Sequence, residues 1–125
     1  MNAHMLPVRP VVLLVEDEPF IRMATADSLE DAGYEVVEAA DAQAAHAILQ
    51  RRTDIRVLFT DVRMPGPMDG LALASLVRSR WPRISVVITS GHLEMGNSLL
   101  PQEAVFLAKP YGEQAPALAI QALLG

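Results

Sequence analysis

The sequence predicts an α/β protein in which five parallel strands form one sheet with helices on both faces. Five short apolar runs, rich in β-branched or aromatic residues, are spread along the 125 residues. Helical patterns lie between these runs, and such alternation with short connections predicts a doubly wound sheet with right-handed crossovers. Three of the runs are apolar on both faces, as expected for strands that are covered on both sides.

Local signals at the element ends support this order. The predicted strands are Val11–Val15, Glu35–Ala39, 56–60, 85–89 and Val105–Ala108. The predicted helices are 19–32, Ala42–Arg51, Gly70–Arg80, 93–100 and 116–124. Pro19 and Pro116 suit first turns, Asp41 suits an N-cap, and Gly33 suits a C-terminal stop. The fourth predicted helix is expected to be short or irregular, because Gly96, Asn97 and Ser98 are poor helix formers.

Composition excludes several classes of protein. The chain has no cysteine, so it has neither a disulfide framework nor a thiolate metal site. Its formal net charge of −5 disfavours a cationic nucleic-acid surface. It has no signal-peptide pattern and no apolar run of bilayer length, so we expect a cytoplasmic protein without membrane contact. We expect one domain over residues 10–125 after an N-terminal tail at 1–9, and residues 1–5 are left out of the fold prediction.

Chemically useful groups follow four of the five predicted strands. The first strand is followed by Glu16-Asp17-Glu18, and the third, fourth and fifth are followed by Asp61, by Thr89-Ser90-Gly91 and by Lys109. Parallel strands end at one edge of the sheet, where doubly wound proteins bind ligands. Converging carboxylates need a cation, and oxygen ligands in an open site suit Mg²⁺. The hydroxyl and the only lysine in the chain are suited to phosphoryl oxygens.

Each of these features also has an ordinary structural explanation. An acidic triplet is favoured at a helix start, and an aspartate after a strand is often a turn residue. Gly66 and Gly70 are typical of turns, and His46 is expected on a helix surface. We favour function because four different strand ends carry the required groups together.

The sequence resembles the receiver domain of two-component response regulators, the CheY-like superfamily. The resemblance runs from about Val11 to Leu124 and depends on the segments VVLLVEDEP, LFTDVRMPGPMDG, VVITSGH and FLAKPY. It implies a flavodoxin-like, CheY-like sheet with strand order 2-1-3-4-5. It also implies a signalling module that is phosphorylated by a histidine kinase or a histidine phosphotransfer protein.

The resemblance assigns site roles residue by residue. Asp61 is the implied phosphoacceptor, which attacks a phosphohistidine on the partner. Asp17, Asp61 and the backbone carbonyl of Arg63 are the implied Mg²⁺ ligands, and Glu16 is expected to act through water. Lys109 is expected to pair with Asp61 and then with the phosphoryl oxygens.

The resemblance also implies a conformational switch. Ser90 and Phe106 match the switch positions, and Gly91 matches a small residue that leaves room for the phosphoryl group. Arg63 and His92 lie where receivers tune the lifetime of the phosphoryl group. The switched surface is formed by the fourth predicted helix, the fifth strand and the fifth predicted helix, and it binds a downstream protein or a second copy.

The fifth predicted helix is apolar nearly all round, so it lacks a clear inward stripe. We expect Leu118, Ala122 and a neighbour to face the sheet, which leaves Ile120, Leu124 or Ala117 to look outward. On this interpretation the outward face is an apolar partner surface.

Two alternatives from other classes remain open. The first is a Mg²⁺-dependent phosphohydrolase with an aspartate nucleophile, as in the haloacid dehalogenase superfamily. That family needs a second aspartate two residues after the nucleophile, where this chain has Arg63. The second is a pseudo-receiver, a binding module that is not phosphorylated. In the leading interpretation the protein is not an enzyme, because it catalyses only its own phosphorylation and dephosphorylation.

Overall fold

The computed structural model describes residues 8–91 and 103–125 of the chain. Nine helices and strands lie within these residues. The strands are β1 Val11–Val15, β2 Glu35–Ala39, β3 Ile55–Asp61, β4 Ser85–Ser90 and β5 Val105–Ala108. The helices are α1 Pro19–Asp31, α2 Ala42–Arg51, α3 Gly70–Arg80 and α4 Ala115–Leu124. The fifth predicted helix is therefore α4, and the fourth predicted helix at 93–100 lies outside the described residues.

The sheet has the strand order β2-β1-β3-β4-β5 with every pairing parallel, which confirms the predicted topology. β2 lies on one side of β1, whereas β3, β4 and β5 lie on the other, so the order in which strands join the sheet reverses between β1 and β3. In doubly wound sheets such a switch point opens a crevice at the carboxyl ends of the strands. Asp61 and Thr89 are paired in register at this edge, and so are Ser90 and Ala108.

Two apolar cores lie on the two faces of the sheet. One core joins the sheet to α2 and α3 through residues such as Leu49, Leu73 and Val77. The other joins it to α1 and α4 through residues such as Leu29 and Ile120. Both faces of the sheet are thus covered, which explains why the central strands are apolar at almost every position.

The helix boundaries agree closely with the sequence signals. The Asp41 side chain accepts a hydrogen bond from Ala44 N, as an N-cap does, and Pro116 lies in the first turn of α4. The predicted strands at 56–60 and 85–89 are longer in the structure, because β3 begins at Ile55 and ends at Asp61 and β4 continues to Ser90.

Three predictions about side-chain direction are wrong. Ile120 is fully buried in α4, whereas Leu118 is 58% exposed. In α1 the helical spacing of Ile21, Ala24, Leu29 and Ala32 predicts one inward stripe, but of these only Leu29 is buried. The other buried residues of α1 are Thr25 and Ala26. His46 is half-buried with its ring edge against Trp81, at a centroid distance of 6.3 Å. A helix that is apolar all round leaves its orientation to tertiary packing, which the sequence pattern does not reveal.

Candidate functional site

Three strand ends bring an ionic cluster together at the carboxyl edge of the sheet. Glu16 directly follows β1, Asp61 ends β3, and Lys109 directly follows β5. Lys109 Nζ donates to Glu16 Oε1 at 2.6 Å and to Asp61 Oδ2 at 3.1 Å. Residues up to 93 positions apart along the chain are joined by this one ammonium. The predicted pairing of Lys109 with Asp61 is therefore present, together with a contact to Glu16 that the sequence did not reveal.

The three acidic residues after β1 have different roles. The Glu18 side chain accepts from Phe20 N and Ile21 N and so caps the start of α1. Glu16 is buried, and its Oε2 accepts from Glu18 N at 3.1 Å. Asp17 is exposed beside them. The helix-start explanation is thus correct for Glu18, whereas Glu16 and Asp17 belong to the ionic cluster.

The three carboxylates of Glu16, Asp17 and Asp61 offer oxygen atoms that all lie within 4.8 Å of one another. This donor set consists only of hard oxygen atoms, and two of its residues are buried. Such sets suit Mg²⁺, which is usually held by one or two carboxylates and keeps several waters. The exposed side of Asp17 leaves room for those waters and for a ligand from solution.

Burial and ion pairing shape the acid–base properties of this cluster. Burial raises the pKa of Glu16, even though the hydrogen bonds from Lys109 and from Glu18 N act in the opposite direction. Burial lowers the pKa of Lys109, but the hydrogen bonds to Glu16 and Asp61 outweigh it, so its pKa lies above the ordinary value. Lys109 therefore stays charged and offsets the repulsion between the two carboxylates.

Backbone contacts fix Asp61 from the other side. Its Oδ1 accepts from Val62 N at 2.8 Å. Gly70, the first residue of α3, donates its N–H to Val62 O at 2.8 Å. A Cβ atom at Gly70 would lie 1.8 Å from Asp61 O, which is a severe overlap with backbone. The turn assignment is therefore wrong for Gly70, which is needed for close approach, and right for Gly66, whose φ is 103°.

Arg22 is a residue of the site that sequence reasoning missed. From α1, its Nη1 donates to the backbone carbonyl of Glu16 at 2.8 Å, and its Nε donates to Glu38 Oε1 at 3.2 Å. The guanidinium thus ties the acidic loop to the end of β2. No signal in the sequence distinguishes Arg22 from a solvent-exposed arginine on a helix, because its partner is a backbone oxygen.

A mainly apolar cleft of about 660 Å³ lies beside Lys109. It is lined by Phe20, Ile21, Ala24, Thr25, Gly91, Lys109, Pro110 and Tyr111. The hydroxyls of Thr25 and Tyr111 are 2.9 Å apart, which links α1 to the segment after β5. Burial raises the pKa of Tyr111. The aromatic ring of Phe20 is 77% exposed at the rim of the cleft.

The remaining predicted residues lie around the same edge. Ser90 is buried at the end of β4, and its carbonyl accepts from Lys109 N at 2.9 Å. Phe106 is half-buried on β5, and both Arg63 and Gly91 are exposed. His92 lies outside the described residues.

Three carboxylates and a lysine thus lie at the switch point between β1 and β3, which is where doubly wound α/β domains bind their ligands. The family model for the response regulator receiver domain matches residues 12–121. The chain therefore belongs to the response regulator receiver domain family of two-component signalling. Receiver domains are signalling domains that bind Mg²⁺ at an acidic pocket and interact with histidine kinases.

Individual relatives agree with this family. The chain is 36% identical over 107 residues to the response regulator protein FleR of Pseudomonas aeruginosa, which covers 83% of this chain and 22% of that protein. It is 35% identical over 117 residues to the sensor kinase CckA of Brucella abortus, covering 90% of this chain and 12% of that protein. The chain thus spans a quarter or less of the curated relatives FleR and CckA.

Solved structures show the same fold. A response regulator receiver protein from Sinorhizobium medicae superposes with a TM-score of 0.87 at 27% identity, covering 93% of this chain and 94% of that chain. The receiver domain of NtrX from Brucella abortus superposes with a TM-score of 0.82 at 34% identity, covering 90% and 97%. Within the described residues, no helix is long and apolar enough to cross a membrane.

Proposed function

We propose that this receiver domain accepts a phosphoryl group on Asp61 from a phosphohistidine of a histidine kinase or a histidine phosphotransfer protein. The observation that carries the proposal is the placement of Lys109, whose Nζ lies 3.1 Å from Asp61 Oδ2 and 2.6 Å from Glu16 Oε1. An ammonium at this point neutralises a carboxylate before transfer and can hold phosphoryl oxygens after it. A single compact cation suits this task better than a planar guanidinium.

In the proposed step, a carboxylate oxygen of Asp61 attacks the phosphorus atom in line with the bond to the partner's imidazole nitrogen. The new O–P bond forms as the N–P bond breaks, and the imidazole leaves with that electron pair and takes up a proton. The product is an acyl phosphate on Asp61. The hydrogen bond from Val62 N to Asp61 Oδ1 at 2.8 Å fixes the carboxylate plane for the attack.

We further propose that Mg²⁺ is bound by Asp17, Asp61 and the backbone carbonyl of Arg63. Bound Mg²⁺ supplies charge neutralisation for the transferred group. Both oxygens of Glu16 already have protein partners, Lys109 and Glu18 N, which supports a role for Glu16 through water and through Lys109. Repulsion among the three carboxylates favours the bound state.

The apolar cleft beside Lys109 supports a protein as the phosphodonor. Phe20 and Met23 on α1 are 77% and 53% exposed, and Phe20 lines the cleft together with Lys109, so α1 offers exposed apolar area at its rim. A contiguous exposed apolar area usually indicates an interface.

The proposed signal travels through Ser90 and Phe106. Ser90 follows the residue paired with Asp61 in the sheet, and Phe106 is paired with Ile88 on the same strand as Ser90. We propose that the added charge at Asp61 draws the Ser90 hydroxyl inward and that Phe106 turns with it. Arg63 and His92 are proposed to tune the lifetime of the phosphoryl group.

The proposed output surface includes β5 and α4, and it binds a downstream protein or a second copy of the chain. Leu118 is its exposed apolar residue on α4, at 58% exposure, because Ile120 is buried. We propose that residues 10–125 form one receiver domain and that residues 1–9 are an N-terminal tail.

Phosphorylation with a small donor tests the proposal directly. Incubation with phosphoramidate and Mg²⁺, followed by intact mass measurement, is expected to show the labile gain of one phosphoryl group. Asp61→Asn keeps the shape of the side chain but cannot form the acyl phosphate, so it is expected to show no gain. Asp54→Asn, at an exposed aspartate of the opposite edge, is the matched control and is expected to react like the wild type.

Other outcomes contradict the proposal in distinct ways. An Asp61→Asn variant that is still phosphorylated at the wild-type rate excludes Asp61 as the acceptor. A wild type without any adduct supports the pseudo-receiver instead. Sustained turnover of phosphate esters supports the phosphohydrolase, although Arg63 stands where that class needs an aspartate.

A further inference from the structure

The amino edge of the sheet, opposite the ionic cluster, carries most of the arginines of the chain. Residues 51–56 and 78–83 contain six of the nine arginines and only one acidic residue, Asp54. These segments hold the carboxyl ends of α2 and α3, which lie on one face of the sheet, and the start of β3. Asp54 and Glu35 pair with Arg52, and Glu103 pairs with Arg78. The six arginines outnumber these three carboxylates, so this end of a chain with a net charge of −5 carries an excess of positive charge.

A small cleft of about 240 Å³ lies in this region. We call it the arginine cleft, and it is lined by Arg52, Thr53, Ile55, Arg80, Trp81, Pro82, Arg83 and Ile84. Three arginines thus line the cleft together with a tryptophan and a proline. The edge contact between Trp81 and His46, with an interplanar angle of 72°, fixes the position of the indole.

Structural roles account for some of these arginines but not for all. Basic residues at helix carboxyl ends interact favourably with the helix dipole, which accounts for Arg51 and Arg80 in part. Arg78 donates to the carbonyls of Pro82 and Ile84 and so holds the loop. Arg83 lies outside any helix, and it is exposed in the loop between α3 and β4.

Among the residues that the structure describes, two of the three cleft arginines form no ion pair. Arg52 pairs with Asp54 at 2.7 Å and with Glu35 at 3.3 Å. Within residues 8–91 and 103–125, the structure shows ion pairs for Arg22, Arg52, Arg78 and Lys109, and none for Arg80 or Arg83. Exposed guanidinium groups with free donors are suited to bidentate binding of carboxylates.

We propose that the arginine cleft binds an acidic segment of a partner protein, with carboxylates on Arg80 and Arg83 and an apolar side chain against Trp81 and Pro82. Tryptophan and arginine are the residues that contribute most to binding at protein interfaces. The cleft takes one or two side chains of a peptide, whereas nucleic acids need a far larger positive surface. The acidic remainder of the molecule also repels long polyanions, which further favours a short acidic segment.

Trp81 is the only tryptophan of the chain, so its fluorescence reports on the cleft directly. The proposed probe is a twelve-residue glutamate-rich peptide with one central leucine, titrated into the whole chain at low salt. A saturable change in Trp81 fluorescence is expected. A second peptide in which each glutamate is replaced by glutamine is expected to cause no change.

A matched pair of variants separates the cleft from general charge effects. Arg80→Gln with Arg83→Gln lowers the net charge by two, and the peptide affinity is expected to fall at least tenfold. Gln114→Glu with Gln121→Glu makes the same change in net charge on exposed positions of the other face. This control is expected to change the affinity less than twofold. Circular dichroism checks that both variants fold, and phosphorylation of Asp61 is expected to be unchanged in both.

Three results would overturn the proposal. The first is a wild type whose Trp81 fluorescence does not respond to the acidic peptide at low salt. The second is an equal loss of affinity in the two variant pairs, which would make the effect one of net charge. The third is binding of a twenty-nucleotide single-stranded DNA at least as tightly as the peptide, which would make the surface a nucleic-acid site.

Discussion

The two edges of the sheet use charge in different ways. At the carboxyl edge, Lys109 joins Glu16 and Asp61, whose side chains are only 4% and 11% exposed. At the amino edge, Arg52 pairs with Asp54 and Glu35, which are 52% exposed. The first set of contacts spans three strands, whereas the pair of Arg52 with Asp54 is between neighbours along the chain.

This difference separates charges that organise a site from charges that lie on a surface. A buried carboxylate without a partner is costly, so its partner must be provided by the fold. An exposed ion pair replaces contacts that both groups could make with water, so it contributes little to the free energy of unfolding. Arg80 and Arg83 of the amino edge are therefore available to an external partner, whereas Lys109 is engaged by Glu16 and Asp61.

Removing the cation from each edge gives the largest expected contrast. Lys109→Met is expected to lower the free energy of unfolding by roughly 3 kcal/mol without Mg²⁺, because two buried carboxylates lose their partner. Saturating Mg²⁺ is expected to stabilise this variant by more than it stabilises the wild type. Urea unfolding with and without Mg²⁺ measures both effects.

Arg52→Met is the matched change at the amino edge. It also replaces a long basic side chain by an apolar one, but its partners are exposed, so only a small fraction of the Lys109→Met effect is expected. Equal losses in the two variants would show that the burial of the carboxyl-edge cluster does not set its energetics.

Arg22 offers a second and smaller contrast, in Mg²⁺ binding. Arg22→Ala removes the hydrogen bond to the Glu16 carbonyl and is expected to raise the dissociation constant for Mg²⁺ about tenfold, because the acidic loop loses its anchor. Arg56→Ala removes an equal charge at the amino edge and is the control. Calorimetric titration measures both.

The direction in which Mg²⁺ affinity changes shows whether Arg22 acts by positioning the acidic loop or only through its charge. Loss of a positive charge alone would strengthen Mg²⁺ binding, so Arg56→Ala is expected to leave it unchanged or slightly tighter. Tighter binding by Arg22→Ala would show that Arg22 acts only through its charge.

The smallest expected effect is a pH dependence at the amino edge. The hydrogen bonds from Arg52 hold the pKa of Asp54 below its ordinary value. A carboxyl group whose pKa is lower in the folded state adds stability above its unfolded pKa, and this stability is lost as the pH falls through the folded pKa. The window therefore lies below about pH 4.

A variant isolates this contribution. In Arg52→Gln, the NMR titration midpoint of the Asp54 carboxyl is expected to rise towards the ordinary value. The stability difference between wild type and variant is expected to be constant above about pH 5 and to shrink below about pH 4. An unchanged midpoint would show that the Arg52 contact is not formed in solution.

The sequence predicts the fold well, because strand and helix signals are local. Proline, aspartate and glycine at the element ends predict the boundaries to within one or two residues. The direction of side chains on the helices is predicted less well, most clearly in α4. Its apolar residues cover every side, so the packing against the sheet decides that Ile120 is buried and Leu118 exposed.

The sequence also predicts which residues gather at the site, since parallel strands end at one edge. It does not predict contacts through backbone atoms, such as Arg22 with the Glu16 carbonyl, or an approach that depends on a missing side chain, such as Gly70 with Asp61. The net charge of −5 likewise gives no sign of the arginine cleft, because a total does not record where the charges lie.

The absence of a side chain at Gly70 has a mechanical consequence. The first turn of α3 rests directly on the Asp61 carbonyl and is hydrogen-bonded to Val62 O, so there is no soft side chain between them. Packed interiors transmit displacement rather than absorb it. A shift of the Asp61 backbone would thus carry the start of α3 with it, and the helix and the strand end move as one rigid body.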